Sequence, residues 1–273
     1  MAYRLLAVDL DDTLLDKNLR VSEGNRRALW LAKEAGVVVT LATGRMFRAT
    51  LPFARELGIE APLIVYQGAL VKHAVTGEVV VHRPVPLEIA LDVVERLAGK
   101  GFHVNVYLDD CLYVEKTGPE SALYESISRV SAVAVGELVP VLRARGQDPT
   151  KVLAVGREED LDRLAQEMRA LYGDSLHITK SKPFFLEFSH PLANKGRALA
   201  AVAAYYGFAP QEVIAVGDAE NDLEMIAWAG LGAAVANARP QVRAAADYVT
   251  ASHEEDGVAR VVEKFILGRE GVR

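Results

Sequence analysis

The sequence is poor in the features that mark several protein classes. A single cysteine, Cys111, stands among 273 residues, so no disulfide can form within the chain and no thiolate metal cluster can be built. No uncharged apolar run approaches the roughly 18 residues that a membrane span requires. The apolar stretch Leu5–Val8 meets Asp9 too soon to be the core of a signal peptide. A cytoplasmic protein with no membrane partner is expected. There is no low-complexity tract and no repeat period. Positive charge is also scarce: 31 Lys and Arg face 37 Asp and Glu, a formal net charge of -6. That balance disfavours a protein that coats nucleic acid, so no nucleic-acid partner is expected. It leaves room for a small anionic ligand, because a metal ion or a few cations can reverse the field inside a cleft. The six histidines (His73, His82, His103, His177, His190, His253) share no metal-ligand spacing.

What remains suits a core-forming chain. Apolar residues make up 51% and charged residues 25%, the balance of a folded protein with a sizeable interior. Short apolar runs alternate with helix-like segments at both ends of the sequence, the pattern of a parallel sheet with helical crossovers. Strands are expected at Leu5–Val8, Val37–Leu41, Leu63–Tyr66, Val213–Val216 and Gly232–Ala236. Helices are expected at Glu23–Ala35, capped by Ser22 and ended by Gly36, then before Gly58, at Lys195–Tyr206, at Asp222–Ala229 and at Asp256–Leu267. Pro52 should lie in the first turn of the second helix or kink it. Between the two ends, a hairpin at Ala69–Arg83 leads into helices at Leu87–Ala98, Glu120–Arg129 and Glu158–Leu171. Strands there fall at Phe102–Leu108, Leu112–Glu115, Lys151–Val155, Leu176–Thr179 and Phe184–Phe188, an α+β order. The expected organisation is a discontinuous α/β core, residues 1–83 and 191–273, with an α+β domain, residues 84–190, inserted. Trp30 and Trp228 are expected in the core.

Four polar clusters follow strands or open helices of the interrupted α/β part. Asp9-Leu10-Asp11-Asp12-Thr13 comes directly after the first buried strand. Carboxylates so crowded repel one another unless a cation joins them, and hard oxygen ligands point to Mg²⁺. Gly217-Asp218-Ala219-Glu220-Asn221-Asp222 follows another apolar strand, and Asp218 and Asp222 would share one face if a helix begins there. Thr43-Gly44-Arg45 ends the second strand, where a hydroxyl and glycine-exposed N–H groups can cradle an anion. Asn194-Lys195-Gly196 sets a lysine at a helix start, a site the helix dipole disfavours unless an anion is present. In open α/β sheets, ligands sit at the carboxyl ends of the strands. Carboxylates, a hydroxyl, a lysine and backbone donors gathered there suit phosphoryl transfer.

Asp-x-Asp-x-Thr, Thr-Gly-Arg, Asn-Lys-Gly and Gly-Asp-x-x-Asn-Asp, in this order, resemble the four motifs of the haloacid dehalogenase superfamily. The long insertion resembles the Cof-type sugar-phosphatase subgroup with an α/β cap. The resemblance covers nearly the whole chain. It implies a Rossmann-like parallel core of strand order 5-4-1-2-3 and an inserted α+β cap. It also implies a Mg²⁺-dependent phosphatase of small phosphorylated metabolites that passes through an aspartyl-phosphate. Asp9 would be the nucleophile and Asp11 the general acid and base. Asp9, the Asp11 carbonyl and Asp218 would hold the metal. Leu10, Thr43, Gly44, Lys195 and Asn221 would bind phosphate, with Asp222 acting through water or by orienting Lys195. Two positions depart from the pattern: Asp12 stands where Gly is common, and Gln67-Gly68-Ala69 where Asn-Gly-Ala is usual. A phosphomutase or dehalogenase of the same superfamily is an alternative, although Asp11 argues against the latter. A receiver-type phospho-Asp switch is another. Arg45 follows the cradle and either joins it or pairs with a carboxylate. In the insertion, Asp109, Asp110, Tyr113, Lys182 and Glu187 are candidates to face substrate. The sequence leaves the oligomeric state open.

Overall fold

Buried on both faces, Leu5–Val8 forms strand β1 at the heart of a parallel sheet. A parallel strand covered on both sides reads as an unbroken apolar run, which this one does. The computed structural model of the protein describes residues 2–269. Helix α1 (Glu23–Glu34) starts where Ser22 Oγ accepts from the Asn25 N–H, and the chain turns away at Gly36, φ 83°. Its buried face is Asn25, Ala28, Leu29 and Ala32. Trp30 lies about 100° round from Leu29 and is 54% exposed, so it is not the core residue expected. Trp228 is half-buried. Strand β2 (Val38–Leu41) pairs in parallel with β1. Helix α2 (Phe47–Glu56) carries Pro52 past its first turn. Strands β3 (Pro62–Val65), β4 (Leu70–His73) and β5 (Val79–His82) follow.

The insertion builds its own sheet. Its elements are α3 (Leu87–Gly99), β6 (His103–Leu108), β7 (Cys111–Val114), α4 (Pro119–Ser128), β8 (Ala132–Ala134), α5 (Leu138–Arg145), β9 (Lys151–Val155), α6 (Glu158–Tyr172), β10 (His177–Lys182) and β11 (Phe185–Ser189). The strand order is β10-β11-β9-β6-β7-β8, antiparallel except for β7 with β8. Alternation sends Val104, Val106, Val152, Ala154, Leu186 and Phe188 to one face, in a core shared with Leu91, Val94, Leu164 and Met168. The opposite face carries Tyr107 and Phe185, both packed against Tyr124 of α4.

The chain then returns with α7 (Lys195–Tyr206), β12 (Val213–Gly217), α8 (Leu223–Trp228), β13 (Leu231–Ala234), α9 (Pro240–Ala245), β14 (Tyr248–Val249) and α10 (Gly257–Phe265). The parallel sheet has the order β14-β13-β12-β1-β2, which sets β1 between β12 and β2. Two details differ from the 5-4-1-2-3 order. A two-residue edge strand, β14, is added beyond β13. Strand β3 belongs to a separate sheet, β3-β4-β5, and meets the β2 side through the single parallel bridge Ala42↔Ile64. Pro62 has no N–H to give to a ladder with β2, whereas β4 pairs along the whole of β3. The Thr40 hydroxyl instead donates to the Pro62 carbonyl at 2.7 Å.

Two units result: residues up to Val81 together with those from Asn194 onward, and His82–Ala193. Among the described residues, no helix is long and apolar enough to cross a membrane. In the first unit, α1 is fastened to the start of α10 by buried Asn25. Its Oδ1 accepts from the Ala259 N–H at 2.9 Å, and its Nδ2 reaches the Leu14 carbonyl at 3.5 Å. Truncating Asn25 to Ala strands the buried Ala259 N–H and is expected to lower stability by about 1–3 kcal/mol. Urea unfolding measures this, and a loss below about 0.5 kcal/mol contradicts it.

Candidate active site

Each polar cluster lies where the fold turns out of its sheet. Asp9 follows β1, Thr43 follows β2, Asp218 follows β12, and Lys195 is the first residue of α7. Parallel pairing of β2, β1 and β12 brings three strand ends to the same edge, although their residues are far apart in sequence.

Lys195 is the centre of the cluster. Its side chain is 1% exposed, and Nζ lies 2.6 Å from Asp9 Oδ1 and 2.6 Å from Asp222 Oδ1. Carboxylate oxygens of Asp9, Asp218 and Asp222 lie within 4.8 Å of one another. Three carboxylates therefore face one ammonium, a formal charge of -2. Burial holds Asp9 well above the usual carboxylate range; Lys195 pulls it down, while Asp222 and Asp218 push it up further. Burial also raises Asp218, to about 6, with the Asp222 charge adding to it. For Lys195 burial works the other way, yet Asp222 and Asp9 together hold the ammonium above its ordinary range. The cluster has too much negative charge for its own cations.

The lone pairs are not equally engaged. Asp222 Oδ2 accepts from the N–H groups of Asp218 and Ala219, both at 3.0 Å, and Oδ1 serves Lys195. Asp218 Oδ1 accepts from the Thr13 hydroxyl at 3.0 Å. Among the described residues Asp9 Oδ2 has no hydrogen-bond partner. The expected helical face shared by Asp218 and Asp222 is not what joins them. Residues 220–222 form a single 3₁₀ turn, and the Asp222 carboxylate folds back over the preceding N–H groups.

The remaining candidates are placed as follows. Thr43 is buried; its Oγ1 accepts from the Arg45 N–H at 3.2 Å. The N–H groups of Leu10 and Gly44 have no partner among the described residues, and Leu10 is fully buried. Two unpaired backbone donors at the mouth of a sheet suit an anion. The Asp11 carboxylate is not one of the clustered three. Arg45, itself buried, grips it with two bonds, Nε to Oδ2 at 2.8 Å and Nη2 to Oδ1 at 2.6 Å. Asn221 is exposed and donates to Gln67 Oε1 at 2.8 Å.

Position 12 also has a local reason. Asp12 adopts φ 58°, a left-handed conformation natural to glycine and tolerated by Asp, and its carbonyl accepts from Asn237 Nδ2 at 2.8 Å. Thr13, Asn237 and Gln67 are contacts that sequence reasoning did not assign. Only the departure at position 67 drew attention to one of them. In the second unit, Glu187 forms a buried pair with Lys151 at 3.1 Å. Asp109 and Asp110 make the left-handed turn between β6 and β7. Tyr113 is buried under the Arg145 guanidinium, and Lys182 lies exposed beside a register shift in β10.

The charge imbalance predicts how pH and metal act together. The unfolded chain releases the Asp218 proton near 3.8, while the folded protein keeps it to about 6. In that window the native state binds more protons, so this residue's contribution to stability falls as pH rises. A divalent cation bound among these carboxylates would relieve the same repulsion by competing with the proton. The rise in Tm produced by Mg²⁺ is therefore expected to grow between about pH 4 and about pH 6. An equal Mg²⁺ increment at both pH values, measured by calorimetry, contradicts this.

A buried carboxylate with one unengaged oxygen, a buried lysine, an acidic trio with excess negative charge and unpaired backbone donors, all at the carboxyl end of a parallel sheet, define a phosphate-handling α/β hydrolase. Comparison with known proteins agrees with that class. The sequence pattern of haloacid dehalogenase-like hydrolases matches residues 6–262. YxeH of Bacillus subtilis is 31% identical over 98% of this chain and 100% of its own length. The 5-amino-6-(5-phospho-D-ribitylamino)uracil phosphatase YitU of the same organism is 30% identical over 96% of this chain and 97% of its own. Among solved structures, a haloacid dehalogenase-like hydrolase from Bacteroides thetaiotaomicron superposes with a TM-score of 0.90 at 27% identity, covering 96% and 99% of the two chains. The chain belongs to the haloacid dehalogenase-like hydrolase family, in its Cof-type branch with an inserted cap, and acts on phosphate monoesters.

Proposed function

We propose that this protein is a Mg²⁺-dependent phosphatase of small phosphorylated metabolites and that it works through an aspartyl-phosphate on Asp9. The observation that carries the reading is the buried three-to-one excess of carboxylates over ammonium around Lys195. Hard oxygen donors and an unbalanced charge of -2 fit a small divalent cation. Asp9 and Asp218 retain the least engaged oxygens, and the Asp11 carbonyl would complete the protein's share. Bound there, the ion would draw charge from the phosphoryl oxygens and so screen the approach of one anion to another.

The chain's own residues supply the rest. An ionised Asp9 needs no base to attack, and Oδ2 is the oxygen free to do so. Asp9 Oδ2 forms a bond to phosphorus as the bond from phosphorus to the leaving oxygen breaks. Asp11 gives its proton to that oxygen. Water then attacks the phosphoryl group, Asp11 takes the proton from it, and Asp9 is released with inorganic phosphate. Thr43, Lys195, Asn221 and the N–H groups of Leu10 and Gly44 would hold the phosphoryl oxygens in line. Asp222 keeps Lys195 pointed at Asp9. Because Arg45 clamps Asp11 through both carboxylate oxygens, proton transfer requires at least one of those bonds to yield.

Family relatives named as phosphatases of a ribityl phosphate and of HMP-PP support a small phosphorylated metabolite as substrate. The test is phosphate release from sugar phosphates, pyridoxal phosphate, flavin mononucleotide and nucleotides, with and without chelation of Mg²⁺. Release from at least one, abolished by chelation, is expected. Transfer to a second hydroxyl would mark a phosphomutase, a lasting phospho-Asp without release a switch, and either result overturns the proposal.

A further inference from the structure

The turn at residues 66–68 meets three of the four polar clusters and carries an unusual backbone. Tyr66 and Gln67 both have positive φ, 52° and 57°, and Gly68 follows at 89°. Two successive non-glycine residues in the left-handed region are disfavoured and persist only where the surroundings enforce them. Here the surroundings are the site. The Tyr66 N–H donates to the Arg45 carbonyl at 2.9 Å and the Gln67 N–H to the Thr43 carbonyl at 3.1 Å, which lashes the turn to the Thr43-Gly44-Arg45 cluster. A side chain at Gly68 would strike the carbonyl of Asn194, the residue that caps the lysine-bearing helix. The Gln67 side chain lies over Gly44, where any Cβ would collide with its Nε2. Its Oε1 accepts from Asn221 Nδ2 at 2.8 Å.

That last bond is the informative one. Asn221 is exposed, and Gln67 is its one side-chain partner among the described residues. An amide on an exposed turn can present either its carbonyl or its NH₂, and only the NH₂ attracts an anion. We infer that Gln67 is a positioning residue for Asn221: its Oε1 takes one Nδ2 hydrogen and thereby turns the donor edge of the amide toward the phosphoryl group. This rests on the reading of Asn221 as a phosphate ligand. It also gives the departure at position 67 a purpose, since the Gln amide oxygen meets Asn221 Nδ2 at 2.8 Å from a left-handed backbone.

The test is calorimetric titration of the Mg²⁺-supplied protein with inorganic phosphate, alongside Tm and steady-state kinetics. Gln67→Met keeps the length and removes the acceptor. Its Kd for phosphate and its KM are expected to rise roughly fivefold, the worth of one neutral hydrogen bond, with kcat far less affected. Gln67→Asn suits the left-handed backbone better but is shorter by one methylene. It should weaken phosphate binding similarly while leaving Tm equal or higher, which separates positioning from simple loss of structure. On an Asn221→Ala background, Gln67→Met should add nothing. Wild-type phosphate affinity in both Gln67 variants, with Asn221→Ala weakened, overturns the inference. So does a full additional loss on the Asn221→Ala background. Wild-type affinity in Asn221→Ala itself refutes the phosphate-ligand reading instead, and the inference falls with it.

Discussion

Replacing Asp9 with Asn is expected to lower kcat by at least about 10⁴-fold, the scale seen when a covalent nucleophile is removed. Asn keeps the size and most of the hydrogen bonding of Asp but cannot carry the charge that attacks phosphorus. The same substitution changes the ratio around Lys195 from three carboxylates per ammonium to two. Stability should hold or rise as repulsion is relieved, so a dead enzyme with an undiminished Tm is the signature sought. Asp11→Asn should slow turnover less, by roughly 10²–10⁴-fold, because the nucleophile survives and only proton transfer is impaired. Turnover in Asp9→Asn near the wild-type rate would remove Asp9 from the mechanism.

Lys195→Met should be the most damaging substitution for the fold itself. The ammonium is buried and is the counter-ion of two carboxylates that are themselves almost inaccessible. Removing one partner of a buried ion pair costs about 3–5 kcal/mol, because the charge left behind stays desolvated. In a chain of this size the drop in Tm is on the order of 10 °C. Acid should recover part of it, since protonating Asp9, already displaced upward by burial, removes the orphaned charge. Mg²⁺ should recover part of it at neutral pH for the same reason. Turnover is expected to be lost in either case, because on the proposed mechanism Lys195 is a cation that would face the phosphoryl group. A variant within about 1 kcal/mol of wild type by urea unfolding would show that Lys195 is not the counter-ion described.

What could be read from the sequence, and what could not, divides along physical lines. The carboxylates after Val8 and after Val216 were legible because buried strands are conspicuous and polar residues at their ends have few structural reasons to be there. Long elements such as α1, α3, α6 and α7 were legible from periodicity and caps. Helices α5 and α9 and strands β8 and β14 are two to eight residues long, too brief for a period to show. Pro52 sits farther into α2 than its ring chemistry suggests, since tertiary packing overrides local preference. Trp30 shows the reverse limit: an aromatic beside an apolar helix face need not lie on it. Partners across the site resisted most. Nothing in spacing shows that Arg45 grips Asp11, that Thr13 reaches Asp218, or that Gln67 reaches Asn221. Each pair joins separate loops, and only the assembled sheet makes them neighbours.

The central place of β1 has a consequence for how the protein is made. Strand β1 leaves the ribosome before either neighbour; it pairs on one side with β2 and on the other with β12, Leu5 lying opposite Val213. Asp9 and Lys195 are 186 residues apart in the chain. At a synthesis rate of roughly 5–20 residues per second, Asp9 waits about ten to forty seconds for its counter-ion. During that interval the nascent chain holds an unpaired apolar strand edge while the whole insertion is translated. The insertion, continuous in sequence, can complete its sheet in the meantime, whereas the acidic cluster closes only after α7 and β12 have followed it. Chains released before β12 would present that open edge to one another and lack the Asp9–Lys195 pair, so translation through β12 is needed both to cover the edge and to assemble the acidic cluster.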